Sequence, residues 1–278
     1  MDVLTVRYGD PDAPARLARS LSETGFAVLT EHPVPRDAIA DTYREWQRFF
    51  ASPDKQGFRF DPVKQDGYFP FRSENAKGNA QKDLKEFFHV YPGTRLPEWM
   101  SGGTRRLYDA LAALAGELLG WIEDHTPAEV RAGFSMPLRQ MVEGSPQTLF
   151  RILNYPPLSG DEEPGAVRAA AHEDINLITL LLAATAPGLQ VRDRDGRWRD
   201  VPADQGSVVV NSGDMLAMTS GGYFRSTTHR VVNPAGDESR RSRLSMPLFL
   251  HPWPQVRLSA THTAREYLDE RLREIGLK

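Results

Sequence analysis

The sequence predicts an α+β, mainly β chain: a double-stranded β-helix (jelly-roll) core with an N-terminal helical region and flanking helices. Three observations lead there. Up to about residue 146, apolar residues recur at helical spacing. From Gln147 they alternate with period 2, and turn signals cut that stretch into eight or so short strands. The 278 residues are 40% hydrophobic and 26% charged, a globular composition that excludes a disordered chain. A chain this long buries about three quarters of its unfolded surface and needs no disulfide to fold. No repeat or low-complexity linker divides it, so a single domain over 1–278 is expected.

In order, residues 13–23 read as a helix through Leu17 and Leu21, and Phe26–Leu29 as a strand after Gly25. Pro33 and Pro35 break the chain before a helix over Asp37–Phe50. Residues 51–103, rich in Gly, Pro, Lys and Asn, read as a long irregular excursion, a kind of segment that often carries function. A helix over Arg105–Asp124 has an apolar stripe at 107, 111, 114, 118 and 121–122. The expected strands are Leu149–Asn154, Ala170–Leu182, Leu189–Arg192, Arg197–Val201, Ser207–Asn211, Met215–Met218, Thr227–Val232 and Arg243–Leu250. Asp195-Gly196 is a hairpin signal. A last helix is expected near Thr263–Ile275. The resulting division is a helical region over 1–146, a jelly-roll core over 147–256 and a C-terminal helix over 257–278.

Thirty-four basic and 37 acidic side chains leave a net charge of −3, which gives no pull toward nucleic acid. The absence of cysteine excludes thiolate chemistry and iron–sulfur clusters, so a metal must be held by nitrogen and oxygen. The longest apolar run, Leu177–Ala184, is too short to span a bilayer, and no secretory signal is visible; a cytoplasmic protein with no membrane partner is expected.

His172 and Asp174 lie two residues apart, a spacing that puts both on one face of a strand. Seven histidines and 37 acids produce about 0.9 such pairs by chance, so the pair alone proves nothing. Within an apolar strand, however, buried ionisable groups need partners. These could be each other, as a hydrogen-bonded pair at a barrel rim, or a metal. Fifty-five residues after Asp174, His229 occupies a β-branched strand. Two histidines and one carboxylate form the facial triad of non-haem Fe(II) oxygenases, with positions left open. Fourteen residues further, Arg243 and Ser245 share a strand face, where a guanidinium beside a hydroxyl can grip a carboxylate. Arg243 could instead pair with a protein acid such as Asp214.

The run His172-Glu173-Asp174-Ile175-Asn176-Leu177-Ile178-Thr179-Leu180-Leu181 resembles the metal-binding strand of the isopenicillin N synthase-like family of Fe(II)/2-oxoglutarate-dependent oxygenases, a cupin-like fold. Gly188-Leu189-Gln190-Val191, Val209 to Asp214 and Thr228-His229-Arg230-Val231 are similar to later family segments, and Arg151 to Pro157 resembles the strand whose tyrosine touches the cosubstrate. The likeness is densest over 149–250. The chain departs from the family at Asn154, Asn176 and the charged loop 233–242. The resemblance implies that His172, Asp174 and His229 bind Fe(II), that Tyr155, Arg243 and Ser245 hold the distal carboxylate of 2-oxoglutarate, and that O2 is the second cosubstrate. It implies oxidation of an unactivated C–H bond of a small molecule in secondary or amino-acid-derived metabolism, by hydroxylation, desaturation or cyclisation. Residues 51–103 would then form a substrate lid. In isopenicillin N synthase itself the same positions grip the substrate's own carboxylate. An Fe(II) oxidase working without 2-oxoglutarate is therefore the alternative, and a non-catalytic ligand-binding barrel a third reading. Within 51–103, Tyr68, Phe69 and His89 are minor substrate candidates, and Glu86-x-x-His89 lacks the second copy a di-iron site needs. The substrate, its contact residues and the oligomeric state are not readable from the sequence.

Overall fold

The computed structural model describes residues 2–75, 81–202, 204 and 206–274. The chain opens with strand β1 (Leu4–Arg7), helix α1 (Ala13–Thr24), β2 (Phe26–Thr30) and α2 (Arg36–Ala51). Gly25 ends α1 in the left-handed conformation at φ 76°, its N–H bonded to the Leu21 carbonyl. A Cβ there would also fall 2.4 Å from Thr227 Oγ1, so the position needs glycine twice over.

The excursion over 51–103 is more regular than the sequence suggests. After a 3-10 turn (Pro53–Phe58) it contributes β3 (Gly67–Phe69) and β4 (Glu86–Val90), which pair with each other and join the main sheet. Short strands flanked by Gly, Asn and Lys lack the periodicity that would reveal them. Then follow α3 (Gly103–Asp124), the short α4 (Ala128–Arg131) and α5 (Leu138–Val142) and the long strand β5 (Leu149–Tyr155).

The run expected as one strand, Ala170–Leu182, is two: β6 (Ala169–His172) and β7 (Ile178–Leu182), which lie in different sheets. Asp174 sits in the turn between them, so it does not share a strand face with His172. Asn176 makes the break, its Nδ2 donating to the Ile178 carbonyl and to Thr179 Oγ1, the local side-chain bonding that competes with a β ladder. The chain continues through β8 (Leu189–Arg192), β9 (Trp198–Asp200) and β10 (Val208–Ser212). The segment expected as strand Met215–Met218 is a helix, α6 (Asp214–Thr219); Met, Leu and Ala are helix formers, and an acid opens its first turn. Finally come β11 (His229–Val231), β12 (Arg243–Leu250) and α7 (Ala264–Glu274). The expected end of α7 at Ile275 lies outside the described residues.

Two sheets result, an eight-stranded one ordered β1-β2-β10-β7-β12-β5-β4-β3 and a four-stranded one ordered β6-β11-β8-β9. All pairings are antiparallel except β1 with β2. Alternation gives the large sheet two faces. Its outer side chains, including Phe150, Ile152, Leu180, Val210, Met246 and Leu248, pack under the helices with Leu107, Leu111, Leu114 and Leu118 of the α3 stripe. Its inner side chains meet the small sheet in two smaller clusters, one around Phe26, Val28, Val191 and Val209, the other around Phe87, Leu153, Tyr155 and Val231. This is the double-stranded β-helix with N-terminal helices that the sequence predicts. Among the described residues no helix is long and apolar enough to cross a membrane.

Candidate metal and cosubstrate site

His172, Asp174 and His229 come together between the sheets, each offering a ligand atom within 4.8 Å of the others. The register of β6 and β11 sets His172 directly opposite His229, with ring centroids 4.4 Å apart. Each imidazole is oriented the same way. His172 Nδ1 meets the Ala170 carbonyl at 2.8 Å and His229 Nδ1 meets the Thr227 carbonyl at 3.1 Å. A carbonyl only accepts, so Nδ1 carries the proton and the Nε2 lone pair is left to bind a cation. Phe26 meets His229 edge-on at 5.4 Å and closes one side.

Asp174 is held more completely. Thr179 Oγ1 and Asn211 Nδ2 both donate to Oδ2, at 2.6 and 2.8 Å. Oδ1 faces the two Nε2 atoms, at 3.9 Å from His172 and 3.7 Å from His229. The turn behind it is clamped by three main-chain bonds, from Asp214 N–H to the Asp174 carbonyl, Met215 N–H to that of Asn176 and Gly213 N–H to that of Leu177. A Cβ on Gly213 would lie 2.3 Å from the Asn176 carbonyl oxygen, so only glycine lets the clamp close. Burial would raise the Asp174 pKa, but the two histidines and the two donors outweigh it and hold the carboxylate ionised. Burial and the neighbouring His229 push the His172 pKa down to about 4, which keeps that imidazole neutral. Two imidazoles with Nε2 turned inward and one ionised carboxylate on one side of a small space suit a divalent iron with open positions.

Tyr155, Arg243 and Ser245 share the inner face of β5 and β12, Arg243 being the register partner of Tyr155. Arg243 is almost fully buried and its guanidinium lies 5.2 Å from the Tyr155 ring centroid. Nε donates to the Ala186 carbonyl at 2.9 Å, whereas Nη1 has no partner. The pairing with Asp214 does not form, because Asp214 accepts instead from Tyr267 Oη of α7 at 2.7 Å. A buried guanidinium short of a partner fits the carboxylate of 2-oxoglutarate.

Phe69 and His89 lie on this inner face with Phe87, Phe69 stacking on Phe87 at 4.4 Å and lying tilted against His89 at 4.6 Å. Tyr68 points the other way, into the helical side, and donates to Glu86. Glu86 and His89 thus project from opposite faces of β4, which removes the Glu-x-x-His pattern as a metal motif. Sequence reasoning missed a buried charge network beside the site. Arg151 donates to Glu74 and, at 2.9 Å, to His89 Nε2, while Lys85 binds Glu74 and Asp83 at 2.9 and 2.8 Å. Arg151 and Lys85 overcome burial and hold Glu74 well below the ordinary carboxylate range. Arg151 could have been found by counting back four residues from Tyr155 on the same strand face. Glu74, in irregular chain, gave no signal. Residues 76–80 of the expected lid lie outside the described residues.

Two packed sheets enclosing two imidazoles, a carboxylate and a buried arginine define a metalloenzyme of the double-stranded β-helix class. The known relatives agree. Residues 147–252 match the 2OG-Fe(II) oxygenase superfamily, and residues 7–102 match the family described as non-haem dioxygenase in morphine synthesis N-terminal. The 2-oxoglutarate-Fe(II) type oxidoreductase hxnY of Emericella nidulans is 30% identical over 275 residues, covering 87% of this chain and 76% of its own. A Shewanella oneidensis crystal structure, provisionally described as an oxygenase, is 50% identical with a TM-score of 0.91 over 100% of both chains. A Neurospora crassa protein solved with alpha-KG and thymine shares the fold at 24% identity and a TM-score of 0.79, over 98% of this chain and 96% of that one. The chain belongs to the 2OG-Fe(II) oxygenase superfamily. It is a 2-oxoglutarate- and Fe(II)-dependent dioxygenase, which sets aside both the cosubstrate-free oxidase and the non-catalytic barrel.

Proposed function

We propose that this dioxygenase oxidises an unactivated C–H bond of a small-molecule substrate, with His172, Asp174 and His229 as the iron ligands and Tyr155, Arg243 and Ser245 as the clamp on the distal carboxylate of 2-oxoglutarate. The observation that carries the reading is the contrast within one space: Asp174 commits Oδ2 to protein donors and turns Oδ1 toward two Nε2 atoms, while Arg243 keeps Nη1 unpaired. Bound iron, with 2-oxoglutarate as co-reductant, supplies the oxidising chemistry. The chain's own residues position the reactants. Nδ1 hydrogen bonds fix both imidazoles, the clamped turn aims the carboxylate, and Arg243 sets the length of keto acid that fits. Phe69, Phe87 and the neutral His89 offer a substrate flat walls on the same inner face. The reaction outcome is hydroxylation, desaturation or ring closure, according to which C–H bond is presented.

We also read residues 1–278 as one oxygenase domain, because β1 to β4 from the N-terminal part complete the sheet whose centre is β10, β7 and β12. The test of the site is an anaerobic titration of the Fe(II)-loaded protein with 2-oxoglutarate, followed in the visible spectrum. A weak charge-transfer band that saturates is expected from keto-acid chelation. Iron binding without such a band would overturn the assignment of the Arg243 pocket to the cosubstrate.

A further inference from the structure

Arg168, just before β6, is 1% exposed and is among the largest fully buried side chains described. Its main-chain N–H donates to Asn233 Oδ1 at 2.9 Å and its Nη2 donates to the Arg241 carbonyl at 3.0 Å. Its Nε is buried with no partner. The guanidinium lies 5.9 Å from the centroid of the Tyr155 ring, the same ring that Arg243 approaches to 5.2 Å. The acid that acts on Arg168, Glu238, is bound to Arg241 at 3.3 Å on the exposed surface. Among the described residues, neither Arg168 nor Arg243 forms an ion pair with a carboxylate.

Two buried cations sharing one phenol ring repel each other, and burying them without an anion is costly. One carbonyl bond each, from Arg168 Nη2 and Arg243 Nε, does not neutralise them. A carboxylate delivered to this pocket would supply the missing negative charge. We propose that Arg168 is a second positioning cation of the distal-carboxylate pocket: Arg243 grips the carboxylate, and Arg168 acts on it by charge from beside Tyr155. This rests on the assignment of Tyr155, Arg243 and Ser245 to the cosubstrate. Its chemical consequence is selectivity. Arg168 favours a keto acid with a second, distal carboxylate over one that ends in a methyl group.

The experiment compares two keto acids on the anaerobic Fe(II) protein, 2-oxoglutarate and 2-oxobutanoate, which has no distal carboxylate. Dissociation constants are read from the charge-transfer band and from calorimetry, at low and high salt. Arg168→Gln is expected to weaken 2-oxoglutarate about tenfold, to leave 2-oxobutanoate unchanged and to flatten the salt dependence of 2-oxoglutarate binding. Arg168→Lys, which keeps the charge, should restore most of the preference, and it serves as the test if the glutamine variant does not fold. Equal weakening of both keto acids, or no weakening of either, would overturn the proposal and leave Arg168 as a clip on the 233–241 loop. So would loss of the preference in a folded Arg168→Lys protein. Arg243→Leu, run in parallel, separates the two levels. If it too leaves 2-oxoglutarate binding intact, the pocket assignment falls; if it alone weakens binding, only the role of Arg168 does.

Discussion

Asp174 and Arg243 are both buried charges on the inner side of the barrel, and the fold finishes them in opposite ways. Asp174 has two side-chain donors on Oδ2 and its main chain is clamped to the start of α6. Arg243 has one carbonyl on Nε and nothing on Nη1. A carboxylate tied through one oxygen keeps the other aimed, so the metal end is preorganised by the protein itself. A buried guanidinium with an unmade hydrogen bond binds whatever anion completes it, so the cosubstrate end is completed by its ligand.

Asp174→Ala attacks the comparison at its strongest point. It should abolish turnover and weaken Fe(II) binding by more than about 100-fold, since even outer-shell partners are worth roughly 10- to 100-fold. Equilibrium dialysis under argon measures this, and unchanged iron content would break the metal assignment. Arg243→Leu should leave iron content untouched and raise the KM for 2-oxoglutarate by about 30-fold or more. Parallel loss of iron would show that the two ends are not separately built. Asn211→Ala is the smallest change. With Thr179 still bonded to Oδ2, iron affinity should fall by about tenfold while the 2-oxoglutarate dependence at saturating iron stays put. A silent result would assign the aim of Asp174 to Thr179 and the main-chain clamp alone.

The two ends also differed in how far the sequence revealed them. Arg243 and Ser245 stand on one regular strand, where parity decides the face, so alternation was enough to pair them. Tyr155 came only from the family resemblance, because its register opposite Arg243 is a tertiary fact. His172 and Asp174 do meet, but not as two side chains of one strand. The turn at Asn176 carries the chain from the small sheet to the large one, a tertiary event that two-residue spacing does not show. The helices α1, α2 and α3 were legible from their apolar stripes, whereas β3 and β4 were too short and irregularly flanked. Arg168, Glu74 and Lys85 had no local pattern at all. Arg151 lies 77 residues from Glu74, and Asn233 and Arg241 lie 65 and 73 residues from Arg168, so these contacts exist only in the folded chain.

The strand order has a consequence for how the protein is made. β2 is bonded on one side to β1, only about twenty residues back, and on the other to β10, which begins at Val208. At about 5–20 residues added per second, β2 leaves the ribosome roughly 10 to 40 s before its second neighbour exists. Through that interval the apolar run Phe26-Ala27-Val28-Leu29 has one open edge, the kind of surface that chaperones cover and that aggregates when they do not. The strand whose Phe26 shields His229 is thus among the earliest synthesised and waits through most of the chain for its second neighbour.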